Sequence, residues 1–344
     1  MKQETGKMEQ YDELKRLTAI LGLGELLESP KEINGGFLHK MYRVVTSQGT
    51  YAVKVLNSEI MKRPSALQNM ISSEKIAANL RREIPAVVSL EFGGNRVQKL
   101  DGKYYMIFPW AEGASVFPPE IKEDHCRVIG DILGRIHEAN VSGEGALPEE
   151  DGTVMYVWEK YLQTAEQRGL PEAEWCAGYR KAVGDIRAWN KAVCDAEESL
   201  GANMVISHRD LDPKNVLWNG MKPYIIDWEA AGYVNPFQEF LEVVNYWTGD
   251  GKGGIRQEYF SAMTTAYQKH MSLEQADWNS VFAGSFAGML GWLEYNLKRA
   301  LGLEAADAEE IRLGGQQVVS TIKDLYDWQV KTGMLKEWLR RRLQ

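Results

Sequence analysis

One stretch constrains the fold of this chain more than any other. It runs from Asn203 to Ala231 and reads NMVISHRDLDPKNVLWNGMKPYIIDWEAA. Two short apolar runs in it, 204–206 and 224–226, have the composition of buried β-strands. A carboxylate follows each run, Asp210 shortly after the first and Asp227 at the end of the second. Each strand is therefore expected to deliver an acid at its end.

The residues between the two acids predict a hairpin. Val216-Leu217-Trp218 is followed by Asn219-Gly220, the dipeptide most typical of a type I′ turn, in which both central residues have positive φ. Such a hairpin would bring Asp210, Asn215 and Asp227 together at one end. Two acids and an amide make poor core residues but good ligands for a hard cation. The stretch therefore predicts a cation-binding site.

Length and composition limit the classes of protein to consider. A chain of 344 residues exceeds the usual size of a single core, so two lobes are expected. With 44% apolar and 26% charged residues, the composition is that of a soluble globular protein. The polar N-terminus is unlike a signal peptide, and the most apolar helical run, 281–293, is too short to span a bilayer. Three cysteines without metal-type spacing are typical of reduced thiols. We predict a cytoplasmic protein with no membrane partner.

The net charge of −8 is unevenly distributed. Nine acids against two bases give residues 138–174 a charge of −7. A solvated helix face is the simpler interpretation, and a wall that attracts a cationic substrate is the alternative. Basic residues cluster only at 336–342, so a nucleic-acid partner is not expected.

Residues before Pro109 have the pattern of a small β-rich lobe. Helix-like spacing covers 10–27 and ends before Pro30, and a glycine turn follows within 33–37. Strands are indicated at 41–46, 51–56, 87–92, 96–100 and 104–108, and we expect these five to form an antiparallel sheet. Alternation places Lys54 on the face opposite Val53 and Val55, beneath the glycine turn Gly35-Gly36. Such a turn lets backbone N–H groups approach phosphate oxygens closely.

Helices dominate the remaining pattern. One candidate, 66–82, lies within the β-rich part and carries Glu74, a possible partner for Lys54. After the linker 109–113, helices are expected at 119–140, 154–167, 172–200, 236–247, 254–269, 278–301 and 305–331. Strands followed by helices predict an α+β fold in two lobes, 1–109 and 110–344.

The combination of motifs resembles the protein-kinase-like fold. His208-Arg209-Asp210 followed by Asn215 is similar to its catalytic loop, residues 208–215 here. Lys54 after a glycine turn, Glu74 on the next helix and Asp227 at a strand end match the other fixed parts in order. Within that fold the chain looks like the aminoglycoside phosphotransferase and choline kinase group of small-molecule kinases.

The short segment after Asp227 favours that group over protein kinases. A protein kinase has a long activation segment there, which docks a peptide. Here only eight residues separate Asp227 from Pro236, which is expected to be the first residue of a helix. The resemblance further implies a helical insert, about 151–200, where a peptide would lie. This layout suits a small acceptor.

The resemblance implies a role for each motif residue. Asp210 would accept the proton of the substrate hydroxyl, while Asn215 and Asp227 would hold Mg²⁺. The nucleotide, ATP or GTP, would be bound by Lys54 with Glu74, by Gly35 and Gly36, and by the backbone of Phe108, Pro109, Trp110 and Ala111. His208 is expected to support the loop, and Glu229 either contacts the metal or substrate or caps a backbone group.

The acceptor is left open by these motifs. The acidic window favours an aminoglycoside-like or other cationic hydroxyl acceptor. Trp278, Trp292 and Tyr295 could instead form a cation–π cage for a quaternary ammonium such as choline. Core packing is the favoured interpretation of Trp292 and Tyr295, which lie three residues apart on one helix face. Homoserine and methylthioribose are further alternatives. A non-catalytic pseudokinase is disfavoured because Lys54, Asp210, Asn215 and Asp227 are all present.

Overall fold

The protein is described by a computed structural model. It covers residues 2–33, 39–142, 154–170, 172–305 and 307–344, with side chains from Gln10 onward. Tertiary contacts group the chain into two compact units. The first comprises Met1–Glu120, Glu138–Pro148 and Ile206–Tyr233, and the second comprises Ile121–His137, Glu149–Val205 and Val234–Gln344.

The first unit contains the predicted sheet. Within the described ranges, its strands are β1 (Lys31–Ile33), β2 (Lys40–Thr46), β3 (Gly49–Val55), β4 (Val97–Leu100) and β5 (Lys103–Pro109). They are ordered β1-β2-β3-β5-β4, and every neighbouring pair is antiparallel. The predicted five-stranded antiparallel sheet is therefore confirmed.

Each face of this sheet is covered by one helix. Val53 and Ile107 are directly paired and join Leu14 and Leu17 of α1 (Lys2–Ile20) in one apolar cluster. One residue along, Lys54 pairs with Met106, which packs with Met70 of α2 (Ala66–Leu80). Because side chains alternate along a strand, Lys54 lies on the α2 face, opposite Val53 as predicted.

Helix α1 differs from its prediction at both ends. The apolar spacing predicted 10–27, whereas the helix begins at Lys2 and ends at Ile20. Gly22 follows with φ of 66°, and Leu23 donates its N–H to the carbonyl of Thr18 at 2.9 Å. A left-handed glycine with a bond back into the last turn ends a helix locally. Pro30 is therefore not the terminator.

The segment Val87–Phe92 is not the predicted strand. It makes isolated contacts instead: the N–H of Val87 donates to Ile225 at 2.8 Å, and that of Leu90 to Ile107 at 2.6 Å. Its Ser89 is held by the side chain of Glu74. The segment is held by side-chain and single backbone hydrogen bonds in place of the regular hydrogen-bond ladder of a strand. An apolar run in the sequence does not distinguish these two arrangements.

The predicted hairpin forms with a different turn. Strands β6 (Val205–Ser207) and β9 (Gly232–Val234) pair, and β7 (Val216–Asn219) pairs antiparallel with β8 (Lys222–Ile225). Asn219 faces Lys222, so the two-residue loop is Gly220-Met221 rather than Asn219-Gly220. Gly220 has φ of 61°, whereas Asn219 is not among the residues with positive φ. Glycine at the first loop position is typical of a type II′ turn, so the predicted type I′ turn was wrong.

Backbone contacts join this hairpin to the N-terminal segment. Ile225 accepts the N–H of Val87 at 2.8 Å, and Trp218 and Ala114 exchange two hydrogen bonds of 2.9 and 3.1 Å. The hairpin accordingly belongs to the first unit. The division of the chain at Pro109 stays a prediction.

The second unit is helical. Its helices are α3 (Glu123–Ala139), α4 (Glu159–Gln167), α5 (Glu174–Gly201), α6 (Pro236–Trp247), α7 (Gln257–Tyr267), α8 (Trp278–Gly284), α9 (Ala287–Ala300) and α10 (Ala308–Arg342). The single helix predicted at 278–301 is divided at Ser285, whose hydroxyl donates to the carbonyl of Phe282 at 2.8 Å. Helix α10 continues well past the predicted end at 331. Among the described residues, no helix is long and apolar enough to cross a membrane.

Gly130 provides a test of helix packing in this unit. A Cβ at this position in α3 would lie 2.3 Å from the carbonyl oxygen of Met263 in α7. We therefore expect Gly130→Ala to lower the free energy of unfolding by about 1–3 kcal/mol, the usual range for overpacking. Urea denaturation monitored by circular dichroism measures this change.

A matched glycine should respond in the opposite direction. Gly184 lies inside α5, and its added Cβ would meet nothing within 4 Å. Alanine there is expected to stabilise the protein by about 0.5–1 kcal/mol, because glycine has the lower helix propensity. Equal responses at the two positions would contradict the close approach of α3 and α7.

Candidate active site

The loop after β6 is held by His208. Its Nδ1 accepts the N–H of Asp210 at 3.2 Å, and its Nε2 lies 3.0 Å from the carbonyl oxygen of Ile226. Since Nδ1 accepts a hydrogen bond, the ring proton is on Nε2, which donates to the carbonyl of Ile226. Both ring nitrogens therefore bind backbone, as expected of a supporting residue. Arg209, between His208 and Asp210, has φ of 64°. Residues other than glycine adopt this conformation at a cost in free energy, and such residues cluster at functional sites.

Asp210 and Asn215 form a direct pair. The amide nitrogen of Asn215 donates to the carbonyl oxygen of Asp210 at 2.8 Å and to its carboxylate at 2.9 Å. The ammonium of Lys214 lies 3.2 Å from the same carboxylate, which is 32% exposed. Asn215 is buried, so its amide geometry is set by Asp210. The structure thus gives Asp210 a fixed orientation and an open side toward solvent.

Asp227 follows β8 in an unusual backbone conformation, with φ of 59° and ψ of 66°. Ile226, just before it, donates its N–H to the carbonyl of Asn215 at 2.9 Å. This bond and the β7–β8 register place Asn215 and Asp227 at the same hairpin end, as predicted. Burial acts to raise the pKa of Asp227, but the charge and hydrogen bond of Lys54, with smaller contributions from His208 and His39, lower it below its ordinary value.

Lys54 binds a different acid from the one predicted. Its ammonium lies 2.9 Å from Asp227 and also contacts the carboxylate of Glu229, while its side chain is only 9% exposed. The expected ion pair with Glu74 is not formed in this structure. Two carboxylates on the segment after β8 satisfy the lysine instead.

Glu74 is held by another group. Its carboxylate accepts the N–H and the hydroxyl of Ser89 at 2.8 and 2.6 Å, and the residue is 2% exposed. Burial raises the pKa of Glu74, while the bonds from Ser89 and the charge of Lys54 act in the opposite direction. Glu74 therefore lies within electrostatic reach of Lys54, although its hydrogen bonds go to the segment that was predicted to be a strand.

Two further residues complete this cluster. Glu229 contacts Lys54 through one carboxylate oxygen, and its other oxygen lies 3.3 Å from Nε2 of His39. Sequence reasoning left the role of Glu229 open and overlooked His39. A signal did exist, because His39 lies two residues before Met41, which pairs with Lys54 across β2 and β3. Period-two alternation would have placed His39 on the same face as Lys54.

The donors at the hairpin end suit a magnesium ion. Because the nitrogen of Asn215 donates to Asp210, its amide oxygen is directed elsewhere and can bind a cation. Asp227 adds a carboxylate of lowered pKa that is 44% exposed. Within the described part of the chain, no group of three His, Cys, Asp or Glu residues could hold a metal. Magnesium does not require one, since it uses one or two carboxylates together with substrate phosphates.

The remaining predicted nucleotide contacts are only partly described. Gly35 and Gly36 lie outside the described residues. Phe108 and Pro109 end β5, and the N–H of Trp110 donates to the carbonyl of Thr50 at 3.1 Å. Proline has no N–H, so neither Pro109 nor Trp110 offers a free backbone donor here. A role for Phe108–Ala111 in binding adenine stays a prediction.

The two cues to an acceptor have different outcomes. Glu144, Glu149, Glu150 and Asp151 of the acidic window lie outside the described residues, while Glu166, Glu172 and Glu174 are exposed. Core packing was the wrong interpretation for two of the aromatic residues: Trp292 is 47% exposed and Tyr295 is 41% exposed, with ring centroids 5.5 Å apart. Both side chains point away from the buried face of α9, which Leu290, Leu293 and Leu297 provide. Trp278 is half-buried and packs on Phe237 and Phe282.

The kinase-like fold and a family comparison together identify the class of this protein. A profile of the APH phosphotransferase enzyme family matches residues 29–273. The chain belongs to this family, and it is an enzyme of the small-molecule kinase type. No curated protein is matched by sequence comparison.

Three solved structures illustrate the shared fold. A spectinomycin phosphotransferase in complex with ADP and spectinomycin has a TM-score of 0.64 at 12% identity, covering 92% of this chain and 98% of its own. An amicoumacin kinase in complex with AMP-PNP and Ca²⁺ has a TM-score of 0.61 at 13% identity, and the match covers 94% of this chain and 96% of the kinase. A microcompartment-associated aminopropanol kinase has a TM-score of 0.60 at 17% identity, and the match covers 93% of this chain and 98% of that kinase. At such identities these similarities establish the fold.

Proposed function

We propose that the protein transfers the γ-phosphate of ATP to a hydroxyl group of a small cationic acceptor. The observation that carries this proposal is the grouping of Lys54 and Asp227 with the paired Asp210 and Asn215 in the first unit. Phosphoryl transfer depends mainly on positioning and on neutralising charge, and these residue types supply both. The similar structures with ADP and AMP-PNP support a nucleotide co-substrate.

Each group would have a separate task. Asp210, oriented by Asn215, accepts the proton of the acceptor hydroxyl as that oxygen attacks the phosphorus. Lys54 neutralises charge on the phosphates. Mg²⁺ held by Asn215 and Asp227 would neutralise charge on the phosphate oxygens. A base that is already hydrogen-bonded needs little reorganisation before transfer.

A cationic acceptor is favoured by acids of the window 138–174. Glu166, Glu172 and Glu174 are exposed acids at or beside α4 and α5, in the segment expected to line the acceptor site. Exposed carboxylates of one sign attract amines over distances near the Debye length. The similar proteins named for spectinomycin, amicoumacin and aminopropanol support an acceptor of this type.

A quaternary ammonium acceptor such as choline is the second candidate. The exposed Trp292–Tyr295 pair favours it, since aromatic faces bind such cations. However, the guanidinium of Arg299 lies 5.5 Å from the centroid of Tyr295 and already covers one face of that ring. We therefore rank choline below an amine-bearing sugar or amino alcohol.

An acceptor panel tests the proposal. Purified protein with Mg²⁺ and ATP, and separately with GTP, would be incubated with aminoglycosides, aminopropanol, choline, homoserine and methylthioribose while ADP or GDP is measured. We expect an amine-bearing acceptor to stimulate release of ADP or GDP. Mass spectrometry should then detect the phosphorylated acceptor. If nucleotide binds but no acceptor stimulates turnover, the result favours a non-catalytic pseudokinase over a kinase. If neither nucleotide binds, the kinase proposal fails.

The proposed location is the cytoplasm, where ATP is supplied. None of the cysteines, all of which lie in the described part of the chain, forms a disulfide: Cys126 and Cys176 are buried and Cys194 is partly exposed. Free thiols are typical of a reducing compartment.

A further inference from the structure

His39 is a buried histidine at the edge of the candidate phosphate site. Its side chain is 2% exposed and lies just before β2. Its Nδ1 accepts the backbone N–H of Asn57 at 2.9 Å. A neutral imidazole carries one proton, so this bond places the proton on Nε2. His39 is therefore an uncharged donor with a fixed direction.

The donor of His39 points at Glu229. Nε2 lies 3.3 Å from one oxygen of that carboxylate, yet among the described residues no acceptor meets it in hydrogen-bonding geometry. Burial and then the charge of Lys54 lower the pKa of His39 to about 4, so the ring stays neutral near pH 7. A buried donor that lacks a well-aligned acceptor is costly, which indicates a binding partner.

The carboxylate of Glu229 lies beside two donors. One oxygen contacts the ammonium of Lys54, and the other faces Nε2 of His39. A phosphate group presents a similar pair of acceptor oxygens on one centre. The proposed function assigns a phosphate contact to Lys54. Nε2 of His39 lies beside the ammonium of Lys54 and can therefore donate to the same phosphate group.

We propose that His39 and Lys54 form a two-donor anion site for a phosphate group of the nucleotide, and that the Glu229 carboxylate takes this position in the structure described here. This inference rests on the proposed function. When the nucleotide binds, its phosphate group would replace the Glu229 carboxylate, and Glu229 would move away from His39 and Lys54. His39 then contributes a neutral hydrogen bond to a charged acceptor.

Binding of ATP and of adenosine would be compared by calorimetry in EDTA, so that no metal contributes. His39→Leu is expected to weaken ATP binding about tenfold or more, the usual effect of a hydrogen bond to a charged group. Adenosine has no phosphate, so its affinity should change less than about twofold by the same reasoning. His39→Gln keeps an N–H donor and should recover most of the ATP affinity. An equal loss for ATP and adenosine would overturn the inference.

A double substitution separates direct binding from positioning. In a Glu229→Ala background, His39→Leu should still weaken ATP binding about tenfold if His39 contacts phosphate. If His39 acts only by holding Glu229, that effect disappears and the inference is wrong. Glu229→Ala alone is expected to leave ATP affinity in EDTA unchanged or higher, because it removes the competing anion.

A second buried histidine is the matched control. His125 belongs to the second unit, is 6% exposed, and accepts the N–H of Lys122 through Nδ1 at 3.0 Å. His125→Leu should affect stability but not ATP affinity. If the unsubstituted protein binds no ATP either in EDTA or with Mg²⁺, the proposed function fails together with this inference. If it binds ATP and His39→Leu binds equally well, only this inference fails.

Discussion

Asp210→Asn is expected to lower kcat by about a thousandfold while leaving the affinity for ATP nearly unchanged. A positioned general base contributes roughly 10²- to 10⁴-fold to such reactions, and the amide cannot accept the proton. The variant can keep a hydrogen bond at the position that Asn215 now contacts at 2.9 Å, so the loop should hold its structure. Steady-state kinetics with a saturating acceptor measure the loss, and calorimetry measures nucleotide binding.

Asp212 offers the matched control on the same loop. Its carboxylate accepts the N–H of Lys214 at 2.8 Å and caps the short helix Pro213–Asn215. Asparagine also caps helices, so Asp212→Asn should retain activity within about twofold. If Asp210→Asn keeps more than about a tenth of the kcat, Asp210 is not the base.

Asp227→Asn is expected to reduce kcat/KM on the order of a hundred- to a thousandfold, in line with the loss of one group that stabilises transition-state charge. Much higher Mg²⁺ concentrations should be needed for half-maximal activity. Asparagine tolerates the left-handed backbone conformation that Asp227 adopts. The backbone should therefore be retained. A fall in melting temperature would reflect the lost ion pair with Lys54, which Glu229 still contacts.

Asp101 is the control for that substitution. It also has positive φ, 49°, and it lies in the β4–β5 turn with its carboxylate 2.8 Å from Arg16 in an exposed ion pair. Asp101→Asn should leave both activity and its Mg²⁺ dependence unchanged. Full activity of Asp227→Asn, or an unaltered Mg²⁺ requirement, would contradict the assignment of Asp227 as a metal ligand.

The main features of the site were accessible from sequence because they depend on local patterns. Period-two alternation placed Lys54 opposite Val53, and the β7–β8 pairing brought Asn215 and Asp227 to one end. Spacing within a single loop joined Asp210 to Asn215. A hairpin or one loop turn connects each of these pairs, so few conformations of the chain can separate them.

Predictions that depended on distant segments were less successful. Glu74 was expected to bind Lys54, but Ser89 supplies two donors to it from a segment that joins no sheet. Trp292 and Tyr295 have the spacing of a packed helix face and are nevertheless exposed, because other residues of α9 face the core. Spacing identifies a face of a helix but not the surface against which that face packs.

By itself, the sequence determined the α+β fold, the five-stranded sheet and the identity of the acids at the hairpin end. Only the tertiary structure decided which carboxylates satisfy Lys54 and which buried donor lies beside it. Asp227 and Glu229 lie 173 and 175 residues from Lys54 in the chain. Side chains that far apart in sequence pair according to how complete elements pack, and no local pattern encodes that choice.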